Sequence, residues 1–241
     1  MVTNLENKKH WDDFNKNYSN NWRSISKELL SQREIKFINK FLNKIDSPSK
    51  ILDIGVGNGR ILQNLIKNTN DNTEIFGIDL SDKMVEVCKE KFNNEHKIKS
   101  INSCDVAEDG ICFEDKFNFI SAIRVVKYNI NWQKMIKNIY TKLDKEGIFV
   151  FTMLNNNSIS RFANFGIPVY LTTKDEIRNI LNKNNFKILE INCFSKLPAF
   201  FYSINNKFYA KLLILIEKLL EKLLGANFFG KEFFVAVKKS T

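Results

Sequence analysis

The sequence predicts an α/β fold built on a doubly wound, mostly parallel sheet. Three observations predict it. Apolar runs of strand length alternate with amphipathic stretches of helix length, the pattern of a sheet covered by helices. The first run, Ile51-Leu52-Asp53-Ile54, passes directly into Gly55-Val56-Gly57-Asn58-Gly59 and an amphipathic stretch from Arg60: a buried strand, a tight turn and a helix start. Two later runs end on carboxylates, Asp79 and Asp105, and open parallel sheets bind ligands at such carboxyl ends.

Residues 1–48 precede the sheet. His10, Trp11, Phe14, Tyr18 and Trp22 follow one another at near-helical spacing. They read as an amphipathic helix packed on the domain, or as a lid that closes over a bound ligand, with Tyr18 and Trp22 as its candidate residues. His10 is the candidate histidine base, whereas His96 sits in a polar, loop-like stretch.

From residue 49 the elements follow in order. The glycine turn leaves the N–H groups of the next helix free for a polar or anionic ligand. Arg60 stands where a dinucleotide fingerprint, G-x-G-x-x-G, requires its third glycine, and no G-x-x-x-x-G-K-[ST] loop exists. A second strand, from Glu74, ends at Asp79, whose two oxygens can accept both hydroxyls of a ribose. Ser81 or Asp82 then caps a helix. Strands follow at Ile101–Val106 and Phe117–Arg124. Gly147, just before a fifth strand, is the expected positive-dihedral helix stop. Thr172 or Thr173 caps another helix, and Phe186–Ile191 and Glu232–Lys238 read as the last two strands.

Asp53-x-Gly55-x-Gly57-x-Gly59, Gly77-Ile78-Asp79-Leu80-Ser81-x-x-Met84, Cys104-Asp105-Val106 and Leu143-x-x-x-Gly147 stand in the order and spacing of a known family. Together they resemble the class I S-adenosylmethionine-dependent methyltransferases over roughly residues 35–239. The resemblance implies a seven-stranded Rossmann-like sheet with the last strand antiparallel, a methyltransferase domain over 49–241 and a helical insertion at about 196–230. It implies S-adenosylmethionine as cofactor and S-adenosylhomocysteine as product. Its cofactor residues are Asp53, Gly55, Gly57, Gly59, Asp79, Leu80, Met84, Asp105, Val106 and Ile123. In this reading Asp79 takes the ribose, Leu80 and Met84 pack on the adenine, and Asp105 and Val106 meet its edge. Asn118 stands where the family usually has Asp, and Asp144-Lys145-Glu146 replaces a usual Lys-Pro-Gly.

The acceptor is less legible. Candidate substrate contacts are Tyr18, Trp22, Arg124, Lys127, Tyr128, Asn155, Arg161 and Tyr170. Catalytic candidates are His10, Tyr18, Lys127 and Tyr128. The main expectation is methyl transfer to an oxygen or nitrogen of a small or medium-sized molecule: a sugar, lipid precursor or secondary metabolite. The alternatives are an RNA or protein methyltransferase, an NAD-dependent oxidoreductase, and an inactive cofactor-binding module. The chain has 241 residues and a formal net charge of +10. Its lysines are scattered and Asn-rich company suggests coding bias, and no Asn-Pro-Pro-Tyr segment follows the fourth strand. Nucleic acid is therefore the disfavoured partner. Cys88, Cys104, Cys112 and Cys193 have no C-x-x-C spacing, so reduced thiols, no metal and a cytoplasmic location are expected. No run of about 20 apolar residues stands in the sequence, and no transmembrane helix or signal peptide is expected. A helix over about 205–224 carries Leu212, Leu215, Ile216, Leu219, Leu220 and Leu223 on one stripe, expected to pack on the core or in a homodimer. Peripheral membrane contact is the alternative.

Overall fold

Strand β1 (Lys50–Ile54) is buried from Ile51 to Ile54 and pairs in parallel with β2 (Glu74–Asp79) on one side and β4 (Phe117–Ala122) on the other. It lies within one eight-stranded sheet of order β3-β2-β1-β4-β5-β8-β7. The remaining strands are β3 (Ile98–Ser103), β5 (Leu143–Asn155), β6 (Leu171–Thr172), β7 (Phe186–Phe194) and β8 (Glu232–Lys239). β8 runs antiparallel between β5 and β7, the reversed last strand that the sequence predicts. The eighth strand is β6, two residues paired with the end of β5. The computed structural model describes residues 4–18, 25–162, 166–197, 199–202, 206–224 and 230–240.

Side chains alternate across each strand, so the core divides between the two faces. Leu52, Ile54, Ile120 and Phe151 enter one apolar cluster, and Ile51, Ile75, Phe119 and Val150 enter the other. Helices α3 (Arg60–Lys67), α4 (Asp82–Lys91), α5 (Trp132–Lys142) and α6 (Lys174–Lys183) connect the strands. Ser81 is the cap of α4, accepting from the Met84 N–H at 3.1 Å. Thr173 caps α6 in a reciprocal box with Glu176.

The segment before the sheet divides into two helices with different roles. α2 (Ile25–Leu42) buries Phe37, Ile38, Phe41 and Leu42 in the same cluster as Ile51 and Phe234. It is part of the core. α1 (Asn4–Tyr18) instead lies against α4, with Lys8 paired to Asp82 at 2.7 Å and Asp12 accepting from the Ser81 hydroxyl at 2.5 Å.

Two local expectations are corrected. Gly147 is not the positive-dihedral residue; Glu146 is, at φ 61°. Gly147 is required for closeness instead, since a Cβ there would come within 3.0 Å of the carbonyls of Asp144 and Phe117. The apolar stripe of α7 (Lys207–Leu224) does not pack on the core. That helix is anchored through Ala210, Leu213 and Glu217, while Leu212, Leu215, Ile216, Leu219 and Leu223 are exposed. Glu217 wins a core position because its carboxylate accepts from the Lys196 N–H at 2.9 Å, the Tyr202 hydroxyl and Arg33. No described helix is long and apolar enough to cross a membrane.

Candidate cofactor and acceptor site

At the carboxyl ends of β1, β2 and β4 the sheet opens into a cavity of about 750 Å³, its open mouth included. Its walls include Ile54, Gly55, Gly57, Asp79, Leu80, Met84, Asp105, Val106, Ile123, Arg124 and Tyr128, together with Asn7 and Trp11 from α1. Four of the acidic or glycine positions singled out in the sequence, Gly55, Gly57, Asp79 and Asp105, thus share one cavity.

The glycine turn is held open by its own backbone. Gly55, Gly57 and Gly59 have φ of 77°, 50° and 78°, a region that L side chains rarely adopt. A Cβ on Gly55 would lie 2.0 Å from a methyl of Val125, and one on Gly59 would lie 2.2 Å from the Phe92 ring. Only glycine lets the turn pass between those neighbours. The Gly57 N–H then donates to Asp79 Oδ2 at 2.8 Å, and the Ser81 N–H donates to Asp79 Oδ1 at 3.0 Å. The Leu80 backbone also donates toward this carboxylate, which with about four acceptor sites still has room for a hydroxyl donor. Burial raises the Asp79 carboxyl above its ordinary value, and those backbone donors pull against it.

Asp53 lies one layer below. It is fully buried, accepts from the Ser121 hydroxyl at 2.7 Å, and its second oxygen has no partner among the described residues. Burial pushes its carboxyl up to about 7, against the Ser121 hydroxyl and the Arg60 charge. Asp105 Oδ1 accepts from the N–H groups of Ala107 and Glu108, at 3.0 and 3.2 Å, while Oδ2 accepts from the Asn4 amide at 2.9 Å. The open diol acceptor at Asp79, the orphan oxygen of Asp53 and the glycine turn fit an adenosyl sulfonium group, which brings ribose hydroxyls, an amine and a positive charge.

The acceptor side differs from expectation. Lys127 is buried and pairs with Glu232 at 3.0 Å, and it is not among the residues that line the cavity. Burial works against its charge, but Glu232 outweighs it and the ammonium is raised above its usual value. Burial would raise Glu232, yet Lys127 and Arg124 hold it down at about 2. Arg124 lines the cavity, but its Nε donates to Glu34 on α2, which also accepts from Arg60 at 2.7 Å. Asn155 is buried and donates to the Gly230 carbonyl at 2.9 Å, a strand-end tie and not a cavity contact. Arg161 is exposed over Phe162, and Tyr170 packs against the core. His10 stands edge-on to Trp11 at 5.1 Å and is not part of the wall. Trp22 lies outside the described residues, as does the side chain of Tyr18.

In their place α1 brings Asn7 and Trp11. The Asn7 amide donates to the Tyr128 carbonyl at 2.5 Å, and the Trp11 ring meets Tyr128 edge-on at 5.2 Å. Asn129 and Met135 complete the wall. The aromatic spacing of α1 included Trp11, but the lid candidates drawn from it were Tyr18 and Trp22. Nothing local signals Glu34, whose partners lie 26 and 90 residues away.

The methyltransferase domain family matches residues 25–191 of the chain. The chain is 26% identical over 206 residues to the tRNA N(3)-methylcytidine methyltransferase of Schizosaccharomyces pombe, covering 76% of this chain and 65% of that protein. The chain thus spans less than two thirds of that relative's length. Among solved structures it resembles an S-adenosylmethionine-dependent methyltransferase from Archaeoglobus fulgidus, with TM-score 0.61 and 20% identity, over 88% of this chain and 94% of that one. It also resembles a chain from the complex between the Haloferax volcanii Trm112 methyltransferase activator and a methyltransferase, with TM-score 0.65 and 14% identity, over 97% and 96%.

The similarity to a tRNA-modifying enzyme corrects the expectation of a small-molecule acceptor with nucleic acid disfavoured. The missing Asn-Pro-Pro-Tyr segment excluded only one chemistry, transfer to an exocyclic base amine. A ring nitrogen carries its lone pair in the base plane and has no such need. Fold, glycine turn and family match agree: the chain belongs to the S-adenosylmethionine-dependent methyltransferases.

Proposed function

We propose that this methyltransferase acts on a nitrogen of an RNA base, with tRNA as the first substrate to test. The similarity over 206 residues to a tRNA N(3)-methylcytidine methyltransferase carries the reading. The net charge of +10 supports it, because a polyanion is drawn to such a chain without a sequence-specific motif. So does the Trp11–Tyr128 pair in the cavity wall, since enzymes that modify a base hold it against aromatic faces.

In this reading the strand tips hold the cofactor. Asp79 accepts the two ribose hydroxyls, Leu80 and Met84 pack on the adenine, and Asp105 and Val106 meet its edge. The glycine turn with Asp53 faces the amino-acid tail. When bound, S-adenosylmethionine supplies an activated methyl on a sulfonium centre. The protein's remaining task is alignment, and orientation of this kind is worth about 7–11 kcal/mol. Trp11, Asn7 and Tyr128 orient the acceptor base, and α1 covers the cavity and excludes water. A neutral ring nitrogen needs no deprotonation, which suits a wall with no histidine in it.

The test is to incubate the protein with methyl-labelled S-adenosylmethionine and unmodified tRNA. Label is expected in nuclease-sensitive material, confined to one base type after digestion. Label that appears only in small molecules from a metabolite extract, with none in tRNA or total RNA, overturns the proposal.

A further inference from the structure

Asn7 lines the cavity and is 4% exposed. Its amide nitrogen donates to the Tyr128 carbonyl, and a carbonyl can only accept, so the amide's orientation is fixed. The nitrogen is spent on the backbone and the oxygen faces elsewhere. That oxygen is not among the unpartnered side-chain oxygens that the described fold closes off, which belong to Asn4, Asp53 and Tyr209. The wall therefore presents one oriented acceptor, tied to the residue that forms half of the Trp11–Tyr128 pair. An acceptor held in this way calls for an N–H from whatever lies against those rings.

A second observation points the same way. The acids of the wall, Asp79 and Asp105, are engaged by backbone N–H groups, and no histidine stands beside them. Such a wall suits a ring nitrogen that already carries an unprotonated lone pair. On the Watson–Crick edge of the RNA bases that nitrogen is N3 of cytosine or N1 of adenine, and each has an exocyclic amine on the next carbon. Uracil N3 and guanine N1 carry a proton. We propose that Asn7 Oδ1 accepts from the exocyclic amine of the acceptor base and so restricts methylation to cytosine or adenine. This rests on the RNA-base reading above and narrows it. The ring nitrogen's lone pair forms the new N–C bond, the S–C electron pair leaves with sulfur, and the positive charge passes to the base. There it is shared with the amine, whose N–H becomes a stronger donor. The bond to Asn7 is thus worth more in the transition state than in the ground state.

The experiment identifies the base labelled in tRNA and then replaces it, in a synthetic RNA, by its deamino analogue: pyrimidin-2-one for cytosine or purine for adenine. The analogue keeps the ring nitrogen and lacks the amine. Label is expected in cytidine or adenosine, and the unsubstituted protein should prefer the natural RNA in kcat/KM. Asn7→Ala should cut that preference about tenfold, the loss of one buried hydrogen bond, while its affinity for S-adenosylhomocysteine by calorimetry holds. Trp11→Ala is the control: both RNAs should weaken alike and their ratio should hold. An unsubstituted protein that methylates the analogue as well as the base overturns the inference without any variant. Label in uridine or guanosine, or a ratio unchanged in Asn7→Ala, also overturns it and leaves the RNA-base reading standing. So does a ratio that falls equally in Trp11→Ala, since loose seating of the base would then explain the effect. A loss of S-adenosylhomocysteine affinity in Asn7→Ala with no change of ratio would place Asn7 on the cofactor side instead. No label in any RNA overturns both.

Discussion

The two sides of the cavity are built by different means. The strand tips of β1 and β2 are set within some thirty residues of chain: a glycine turn that only glycine can make, a carboxylate at the next strand end, and backbone N–H groups that tie one to the other. The acceptor side is assembled from distant pieces. α1 reaches over to Tyr128, α2 sends Glu34 to Arg60 and Arg124, and β8 sends Glu232 to Lys127. Local geometry writes itself into a motif. Long-range charge pairing does not.

That difference can be broken or sharpened by substitution. The largest effect is expected at the buried Lys127–Glu232 pair. Lys127→Ala leaves Glu232 charged and unpaired, so denaturant unfolding should show a loss of about 3–5 kcal/mol. If Lys127 were instead an exposed acceptor contact, activity would fall and stability would hold. Trp11→Ala should come next. Removal of a base-stacking ring is worth about 1–3 kcal/mol, read as a fall in kcat/KM for RNA with cofactor affinity little changed. An equal loss of cofactor affinity would mean that Trp11 belongs to the cofactor side.

A third effect is one of slope. Asp53 is held protonated up to about 7 in the folded chain but ionises near its ordinary value of 3.8 when unfolded. Between those two values the folded state binds more protons, so stability falls as pH rises and levels off above about 7. The slope is at most about 1.4 kcal/mol per pH unit. Asp53→Asn should flatten that stretch of the pH–stability profile. A profile as steep as that of the unsubstituted protein would assign the titration to another group.

The legibility of the sequence follows the same divide. The caps, where Ser81 and Thr173 prove to be the members of their candidate pairs that serve, and the shared position of Asp79 and Asp105 were readable because each rests on short-range chemistry, whereas the reversed β8 followed from the family resemblance. Asn155, Lys127 and Arg124 are each engaged in a way that their local sequence does not signal. Their side chains follow strand ends near the cavity, yet each is engaged by a partner that arrives from elsewhere in the chain: Gly230, Glu232 and Glu34. In α7 the widest apolar stripe is not the buried one, because a carboxylate with enough donors, Glu217, replaces apolar surface at the contact. Scattered lysines were a poor ground for setting nucleic acid aside, since residues dispersed in sequence can still sum to one field around a folded chain.

The claim on which the rest depends is that Asp79 receives the ribose of the cofactor. Titration of S-adenosylhomocysteine into the unsubstituted protein and into Asp79→Ala tests it most directly. The account predicts binding to the first and an affinity weaker by about 1–3 kcal/mol in the second, with the fold intact by circular dichroism. Equal affinity in the two proteins would contradict it.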